Sequence, residues 1–425
     1  MDTAPDAQLH EPKFTPKKPA MKLPNQTATR REFLAITAAA AAAISGMPQA
    51  AAKASDEAPR KVLECLDGDP DTGTSRAVVV GDVPLVHTEQ VFAKRESEDF
   101  DRDVVVAALE QALELRLSAA GASLDDAVRL HYYIASNAWV PIIQDRLARR
   151  FSGRYQPAVT FVTGKLAESG AVVAADCIAV RRAKATAGKV ARFAGAAILP
   201  PGDKLYVSGD AKPGDVPTAT RATLESLEKT LRFAGLDWSH VVQLKSFIQP
   251  IDAADDARKA MQEFFGDRPL PVLTFVEWRS PSLPIEIELI AAVPPEVSNR
   301  SADVVEYLTP PGMTASPVFS RAARVRSPTV IYTSGLYGDE KDDSPARVRD
   351  VLGQVRQLVD RAGGNMRHLV KATYYVASDE TSADLGKIRP EYYEPDSPPA
   401  ASKAATEGVG RDGHTLVIDM IAAAG

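Results

Sequence analysis

One pattern of apolar and polar positions recurs three times along the chain. In each copy, an amphipathic helix ends at a glycine, and a valine seven residues later opens a segment rich in aromatic and β-branched residues. Such segments favour strands. The glycine and valine pairs are Gly121 and Val128, Gly235 and Val242, and Gly363 and Val370. The constant offset predicts three copies of one structural unit.

The end of each copy is marked by a second shared landmark. About 50 residues after the valine, a final predicted strand ends in Ile-Ala, with an acidic residue two positions before the isoleucine. These acidic residues are Asp176, Glu288 and Asp419. A second helix lies between the landmarks, and a hairpin precedes the first helix, so the predicted order is β-β-α-β-α-β-β. Helices separated by strands predict a layered α+β unit with both helices on one face of the sheet.

These landmarks divide the chain into four parts. Residues 1–54 precede the copies, which we call repeat 1 (55–185), repeat 2 (186–299) and repeat 3 (300–425). The second strand of each predicted hairpin ends in a polar turn. The turn residues are Thr88-Glu89, Ser208-Gly209 and Ser334-Gly335.

Residues 1–54 read as an export signal followed by a polar linker. Arg30 and Arg31 precede an apolar run of 14 residues from Phe33 to Gly46, which is shorter than the roughly 20 residues that span a bilayer. This order is typical of a twin-arginine signal. We therefore expect export to the periplasm or the exterior, with no permanent membrane span. The alternative is an ordinary alanine-rich helix after a polar tail.

Composition and charge narrow the class of partner. The chain is 45% hydrophobic and 25% charged, and its net charge is −6, which favours a soluble protein and disfavours a nucleic-acid partner. Cys65 and Cys177 form at most one disulfide. The six histidines show no metal-ligand spacing, and no phosphate-binding loop is present in the sequence. A small molecule is therefore the expected partner, with no metal or cofactor.

Together the ordered landmarks resemble the Rid family, also called the YjgF or reactive-intermediate deaminase family. Repeat 2 is the most similar copy. The resemblance implies a chorismate-mutase-like fold that forms homotrimers with a ligand cleft between neighbouring subunits. Three fused repeats would close the same ring within one chain, so we expect a monomeric, intramolecular pseudo-trimer. The alternative is three domains on flexible linkers, which the short connectors near 183–190 and 294–306 disfavour.

The resemblance also implies a catalytic arginine, which this chain lacks. In family members that hydrolyse imines, an arginine two residues after a turn proline grips the substrate carboxylate through two parallel hydrogen bonds. The matching prolines are Pro157, Pro271 and Pro399. The arginine position is then occupied by Val159, Leu273 and Ala401. None of these side chains binds a carboxylate through charge.

Other site residues follow from the same resemblance. Asp176, Glu288 and Asp419 match the acid that holds the attacking water and are the candidate catalytic residues. The candidate ligand-binding residues are Thr88, Ser208, Gly209, Ser334, Gly335, Phe319 and Lys403. Lys403 shares a strand face with Ala401 and would replace the arginine as a point charge. The alternatives are a solvated strand face for Glu288, turn serines that bind their own backbone, and a surface role for Lys403.

Three functions remain open at this stage, and the sequence does not decide whether the chain is an enzyme. The first is an exported Rid-like protein that binds, or binds and hydrolyses, a small imine, enamine or carboxylate in clefts between repeats. The second is a non-catalytic ligand-binding or scaffold protein. The third is a 2-iminobutanoate/2-iminopropanoate deaminase, which the missing arginine makes the least favoured.

Overall fold

The computed structural model describes residues 63–95, 101–280, 282–298, 302–313, 316–339, 341 and 343–425. The predicted signal and linker, residues 1–54, lie outside the described residues. Residues Glu57–Gly425 form one compact unit. Within the described part of the chain, no helix is both long enough and apolar enough to cross a membrane.

The helices and strands follow one order in all three repeats, apart from an additional strand, β4, in repeat 1. Repeat 1 contains β1 (Leu63–Asp69), β2 (Thr74–Val80), β3 (Leu85–Thr88), β4 (Val91–Lys94), α1 (Arg102–Ala119), β5 (Ala122–Ile134), α2 (Val140–Arg150), β6 (Ala158–Thr163) and β7 (Ala171–Arg181). Repeat 2 contains β8 (Ala191–Phe193), β9 (Ala196–Leu199), β10 (Lys204–Ala211), α3 (Val216–Phe233), β11 (Val241–Ile248), α4 (Ala254–Phe265), β12 (Val272–Glu277) and β13 (Ile285–Ala292). Repeat 3 contains β14 (Val305–Leu308), β15 (Ala322–Val325), β16 (Val330–Thr333), α5 (Ser344–Arg361), β17 (Gly364–Val376), α6 (Asp379–Ile388), β18 (Ala400–Ala405) and β19 (Leu416–Ala424).

The first helix of each repeat has the same length and equivalent ends. Helices α1, α3 and α5 each span 18 residues and begin after an aspartate whose side chain accepts a backbone N–H of the first turn. These aspartates are Asp101, Asp215 and Asp343. The glycines that follow the helices, Gly121, Gly235 and Gly363, have φ values of 78°, 77° and 81°. This left-handed conformation is open to glycine at little cost, which explains the recurring glycine of the sequence pattern.

Strand pairing connects each repeat to the next one. In repeat 2, β12 is parallel to β11, while β13 is antiparallel to β11 and to β10. Strand β10 then pairs with β15 of repeat 3, so the six-stranded sheet is completed by the first two strands of the following repeat. Likewise β3 pairs with β9, and β16 pairs with β2. The last of these pairings returns from repeat 3 to repeat 1, so the connection is cyclic.

The predicted element order is wrong in one respect. Each repeat begins with an additional strand, β1, β8 or β14, which forms the hairpin with the strand after it. The strand that we expected to complete this hairpin instead pairs with another repeat. The additional strands are partly exposed, and β8 has only three residues, so they carry little of the apolar alternation that marks a strand in a sequence.

The two faces of the sheets have different environments. In each repeat, one face of the sheet packs against the helices of that repeat. The opposite face points to a centre that the three repeats share. Apolar residues from all three repeats meet there, including the valines of the sequence pattern, Val128, Val242 and Val370, each 0% exposed. The centre of the chain is therefore a core shared by the three repeats.

Candidate functional site

The three candidate acids lie in a buried ionic network at this shared centre. Asp176, Glu288 and Asp419 are 2%, 8% and 1% exposed. Lys371 Nζ lies 2.6 Å from Glu288 Oε2, and Arg129 forms an ion pair with Asp419. Glu288 and Asp419 are therefore paired with cations of the protein itself.

His131 joins two of these acids across a repeat boundary. Its Nδ1 lies 3.0 Å from Asp176 Oδ1, and its Nε2 lies 3.2 Å from Asp419 Oδ2. Tyr133 donates its hydroxyl to Asp176, and Lys245 Nζ donates to the hydroxyl of Tyr375. The network thus includes side chains of all three repeats.

The network keeps two of the acids ionised. Burial opposes the ionisation of Asp176, but the charge and hydrogen bond of His131 outweigh it and hold the pKa at about 2. Burial also opposes the ionisation of Asp419, and the charge of Arg129 with the hydrogen bond of His131 holds that pKa below its ordinary value. A carboxylate with so low a pKa is a poor general base near neutrality.

The turn serines bind the backbone of the next repeat. Ser334 Oγ donates to the carbonyl of Ser75 at 2.5 Å and accepts the N–H of Val159 at 2.7 Å. Ser208 makes the same pair of bonds in repeat 3, donating to the carbonyl of Ser320 and accepting the N–H of Ala401. Both hydroxyls are thus engaged between repeats rather than with their own backbone.

Strand pairing corrects the residue match in repeat 1. The equivalent isoleucines of the last strands pair with His87, Tyr206 and Tyr332. Glu89 and Gln90, one position later than we matched, therefore occupy the positions of Ser208 and Gly209. Thr88 is buried, and its Oγ1 accepts the N–H of Cys177, as Thr333 Oγ1 accepts that of Met420. This turn of repeat 1 has no Ser-Gly pair, so its sequence offered no anchor for the match.

Gln90 forms hydrogen bonds across the interface between repeats 1 and 2. Its side-chain amide donates to the carbonyl of Phe275 and accepts the N–H of Phe275, both at 3.1 Å, and its own N–H donates to the carbonyl of Leu273. Repeat 1 therefore has a hydrogen-bonding side chain at the turn position where repeats 2 and 3 have a glycine.

The interface between repeats 2 and 3 contains an acid that our sequence analysis did not select. A Cβ atom at Gly209 would lie 1.9 Å from Glu286 Oε1, so the missing side chain of Gly209 makes room for this carboxyl group. Burial and the nearby charge of Glu288 raise the pKa of Glu286 to about 7. Glu286 and Glu288 share a strand face, and their sequence pattern does not show which one reaches the turn.

The two remaining candidates near this interface, Lys403 and Phe319, contact other side chains of repeat 3. Lys403 is exposed, and its Nζ donates to Ser382 Oγ of the same repeat at 2.9 Å. Phe319 is half-buried, with the guanidinium carbon of Arg321 5.2 Å from its ring centroid. Their role in ligand binding stays a prediction.

The interface between repeats 3 and 1 contains an open cleft of about 580 Å³. The turn Ser334-Gly335 lines it beside Val159 and Phe161 of β6. The polar and charged side chains of the lining include Asp67, Asp69, Arg76, Gln144, Tyr337, Gln354 and Arg411. We call this space the 3–1 cleft. Its lining is mostly polar, with apolar surface from Val159, Phe161 and Leu336.

No group of three or more histidine, cysteine, aspartate or glutamate residues in the described ranges is arranged to hold a metal ion. Cys65 and Cys177 are both free thiols, and Cys177 is buried.

Comparison with known proteins identifies related sequences and folds. A family model described as "Endoribonuclease L-PSP" matches residues 186–293 and 313–424. A solved structure of a Rid-family protein of unknown function from Yersinia pestis is 20% identical, covers 28% of this chain and 99% of its own, and has a TM-score of 0.27. A YjgF-family member from Mycobacterium tuberculosis is 22% identical, with coverages of 25% and 86% and a TM-score of 0.21. One from Neisseria meningitidis is 16% identical, with coverages of 28% and 95% and a TM-score of 0.22.

Proposed function

The chain belongs to the Rid/YjgF (L-PSP) family, and we propose that it is an intramolecular pseudo-trimer of three Rid-like units that binds a small metabolite in the 3–1 cleft. The assembly of the repeats and the function of the clefts between them are supported by different contacts.

The pseudo-trimer is supported by contacts that recur from one repeat to the next. Three strand pairings connect the repeats in a cycle. Equivalent serines, Ser208 and Ser334, bridge two of the interfaces with the same pair of hydrogen bonds. Small-angle scattering of the mature chain tests this assembly. A compact particle with the mass of one chain is expected, and an extended string of domains or a larger oligomer contradicts it.

Ligand binding rests on one observation, the open cleft of about 580 Å³ between repeats 3 and 1. At the equivalent turns, Gln90 is hydrogen-bonded to Phe275 between repeats 1 and 2, and Glu286 lies beside the turn between repeats 2 and 3. A thermal-shift screen of small acids, amides and amines tests the proposal, because a ligand that binds only the folded state raises its melting temperature. If no compound stabilises the chain, a purely scaffolding role replaces ligand binding.

The composition of the 3–1 cleft favours binding over imine hydrolysis. Val159 stands where the family resemblance places the arginine. The residue beside the turn is also apolar. A Cβ atom at Gly335 would lie 2.7 Å from Val417, whereas the equivalent Cβ atom at Gly209 would meet Glu286. At this turn the cleft therefore lacks the arginine that the resemblance assigns and an acid beside the glycine, which are the groups that would grip the carboxylate and accept a proton in imine hydrolysis. We therefore expect no ammonia release above the buffer rate from 2-iminopropanoate generated in the assay.

A second candidate function is hydrolysis at the interface between repeats 2 and 3. Burial raises the pKa of Glu286 to about 7, so this carboxyl group exchanges protons near neutral pH, as a general acid or base does. Its test is the variant Glu286→Gln. Any hydrolytic turnover by the chain should be lost in this variant and kept in Glu225→Gln, which removes an exposed acid of the same repeat.

Export by the twin-arginine route is part of the same proposal. It is supported by Arg30, Arg31 and the apolar run after them. Replacement of both arginines by lysine should retain the full-length precursor inside the producing cell, and unchanged export would contradict the proposal.

The wording of the family description suggests RNA as a substrate, but a net charge of −6 does not favour binding to a phosphate backbone.

A further inference from the structure

We propose that His131 of repeat 1 is an imidazolium cation in the folded chain and that it holds repeat 3 in place by donating one hydrogen bond from each ring nitrogen to an ionised aspartate. We call His131, Asp176 and Asp419 the histidine clasp. The contact between repeats 3 and 1 then depends on one proton. The clasp rests on the proposed cycle of three repeats and is independent of what the 3–1 cleft binds.

The imidazole of His131 lies between carboxylates of two different repeats. Asp176 is on β7 of repeat 1, directly opposite His131 in the strand pairing, and its Oδ1 lies 3.0 Å from Nδ1. Asp419 is on β19 of repeat 3, and its Oδ2 lies 3.2 Å from Nε2. All three side chains are buried. Solvent therefore cannot readily replace a hydrogen bond that the clasp loses.

The number of donors decides the protonation of the imidazole. A neutral imidazole has one N–H and one bare nitrogen, whereas an imidazolium has two N–H donors. An ionised carboxylate is only an acceptor, so it has no hydrogen to offer to a bare nitrogen. The pKa of Asp176 is held at about 2 and that of Asp419 below its ordinary value, so both are ionised near neutrality. Both contacts are hydrogen bonds only when the imidazole carries two protons.

The other oxygens of the two aspartates already have donors. The hydroxyl of Tyr133 donates to Asp176 Oδ2 at 2.9 Å, and Arg129 forms an ion pair with Asp419 Oδ1. Loss of one proton from His131 would therefore leave a buried carboxylate oxygen facing a bare nitrogen. The contact with Asp419 is the longer one and crosses the repeat boundary, so we expect it to break first.

Other titratable groups approach the clasp from the surrounding strands. They are Arg129 and Tyr133 of β5, His87 of β3, Lys245 of β11, Glu288 of β13, and Lys371 and Tyr375 of β17. Arg129 pairs with Asp419, and Lys371 pairs with Glu288. Two side chains then remain that could supply the positive charge beside Asp176, namely His131 and Lys245.

The geometry favours His131 over Lys245. Lys245 Nζ donates to the hydroxyl of Tyr375, and no carboxylate oxygen of the described residues lies within 4.0 Å of it. Burial lowers the pKa of Lys245, although the charges of Asp176 and Asp419 oppose this effect. His131 instead contacts both carboxylates directly, and hydrogen bonds between two charged groups are the strong ones.

Nuclear magnetic resonance of the mature chain, labelled with nitrogen-15 histidine, tests the clasp at pH 7. Both ring nitrogens of His131 should have the chemical shifts of protonated nitrogen, and the signals that disappear in His131→Gln assign them. His87 is the control within the same spectrum. It is also buried, but its Nδ1 lies 3.0 Å from the amide oxygen of Gln243 and burial lowers its pKa to about 4, so one of its nitrogens should be bare.

Thermal unfolding at pH 6 and pH 9 tests whether the proton stabilises the assembly. A glutamine at position 131 donates to only one carboxylate at any pH, so His131→Gln should lower the melting temperature. An unfolded histidine loses its proton near pH 6.5, so the stabilisation by the imidazolium declines above that pH. The loss in His131→Gln should therefore be larger at pH 6 than at pH 9, whereas the effect of His87→Gln should be the same at both.

The possible outcomes separate the clasp from the assembly. A bare nitrogen at His131 in the parent chain at pH 7, or an equal loss of melting temperature in His131→Gln at both pH values, overturns the clasp. If small-angle scattering still shows a compact particle, the cycle of repeats stands without it. An extended particle overturns the cycle and the clasp together.

Discussion

Lys371 of repeat 3 and Glu288 of repeat 2 form a buried ion pair, with Nζ 2.6 Å from Oε2. The two residues are 5% and 8% exposed, so each charge depends on the other for compensation. The acids at the equivalent position in the other repeats, Asp176 and Asp419, pair instead with His131 and Arg129 of repeat 1. The centre therefore differs at each interface although the fold repeats.

Removal of Lys371 should destabilise the whole chain. Lys371→Met leaves Glu288 buried without its cation, and breaking a buried pair in this way costs about 3–5 kcal/mol. Urea unfolding measures the change in the free energy of unfolding. The control Lys229→Met, at an exposed position, should change it by less than about 0.5 kcal/mol. Equal effects of the two substitutions would show that the central pair contributes nothing specific.

Stability should fall in acid because of Asp176. Its folded-state pKa is about 2, against an ordinary value of 3.8, so the folded state binds fewer protons than the unfolded state between these values. The stabilisation is present above pH 3.8 and is lost as the pH falls through 2. Melting temperatures between pH 2 and 6 measure the slope. Asp176→Asn should flatten it, whereas an unchanged slope would place the proton uptake at other residues.

Glu286 should give the opposite dependence at higher pH. Its folded-state pKa of about 7 lies above the ordinary value of 4.5, so its contribution is fully present below pH 4.5 and is lost as the pH rises through 7. Glu286→Gln should therefore raise the melting temperature at pH 8 relative to the parent chain and change it little at pH 4. A variant that is equally affected at both pH values would contradict a titrating role for this carboxyl group.

Ser334 should matter for the contact between repeats 3 and 1. Ser334→Ala leaves the N–H of Val159 and the carbonyl of Ser75 without their buried partner, which costs about 1–3 kcal/mol. Ser208→Ala should cost a similar amount at the next interface. The exposed Ser152 provides the control, because Ser152→Ala removes a hydroxyl from the surface. Chemical denaturation compares the three variants, and a Ser334 variant as stable as the control would refute the bridging role.

The features that the sequence predicted well are those that local chemistry encodes. Gly121 and its two equivalents recur because the chain after each helix adopts positive φ, and Val128 and its equivalents recur because they are buried. Such requirements act within a few residues, so they leave a mark in the order of residues. The family resemblance depended on the same local landmarks.

The features that were missed depend on contacts between distant parts of the chain. Glu286 and Glu288 are two residues apart on one strand face, and only the position of Gly209 decides that Glu286 reaches the turn. Gln90 replaces a glycine at a turn whose position in repeat 1 is fixed by strand pairing. Arg76 and Arg411 are 335 positions apart in the sequence and lie along one cleft only because repeat 3 returns to repeat 1.

The pairing of β2 with β16 has a consequence for the order in which the chain folds. Strand β2 emerges early in synthesis, yet its partner β16 appears roughly 250 residues later, so the two strands cannot pair until the first part of repeat 3 has been made. Pairings with such large sequence separation form slowly, because the entropy of loop closure is lost before the contact is gained. Until then β2 presents an open edge, which is a site for aggregation. Closure of the ring is therefore the step at which a nascent chain is most exposed to misassembly.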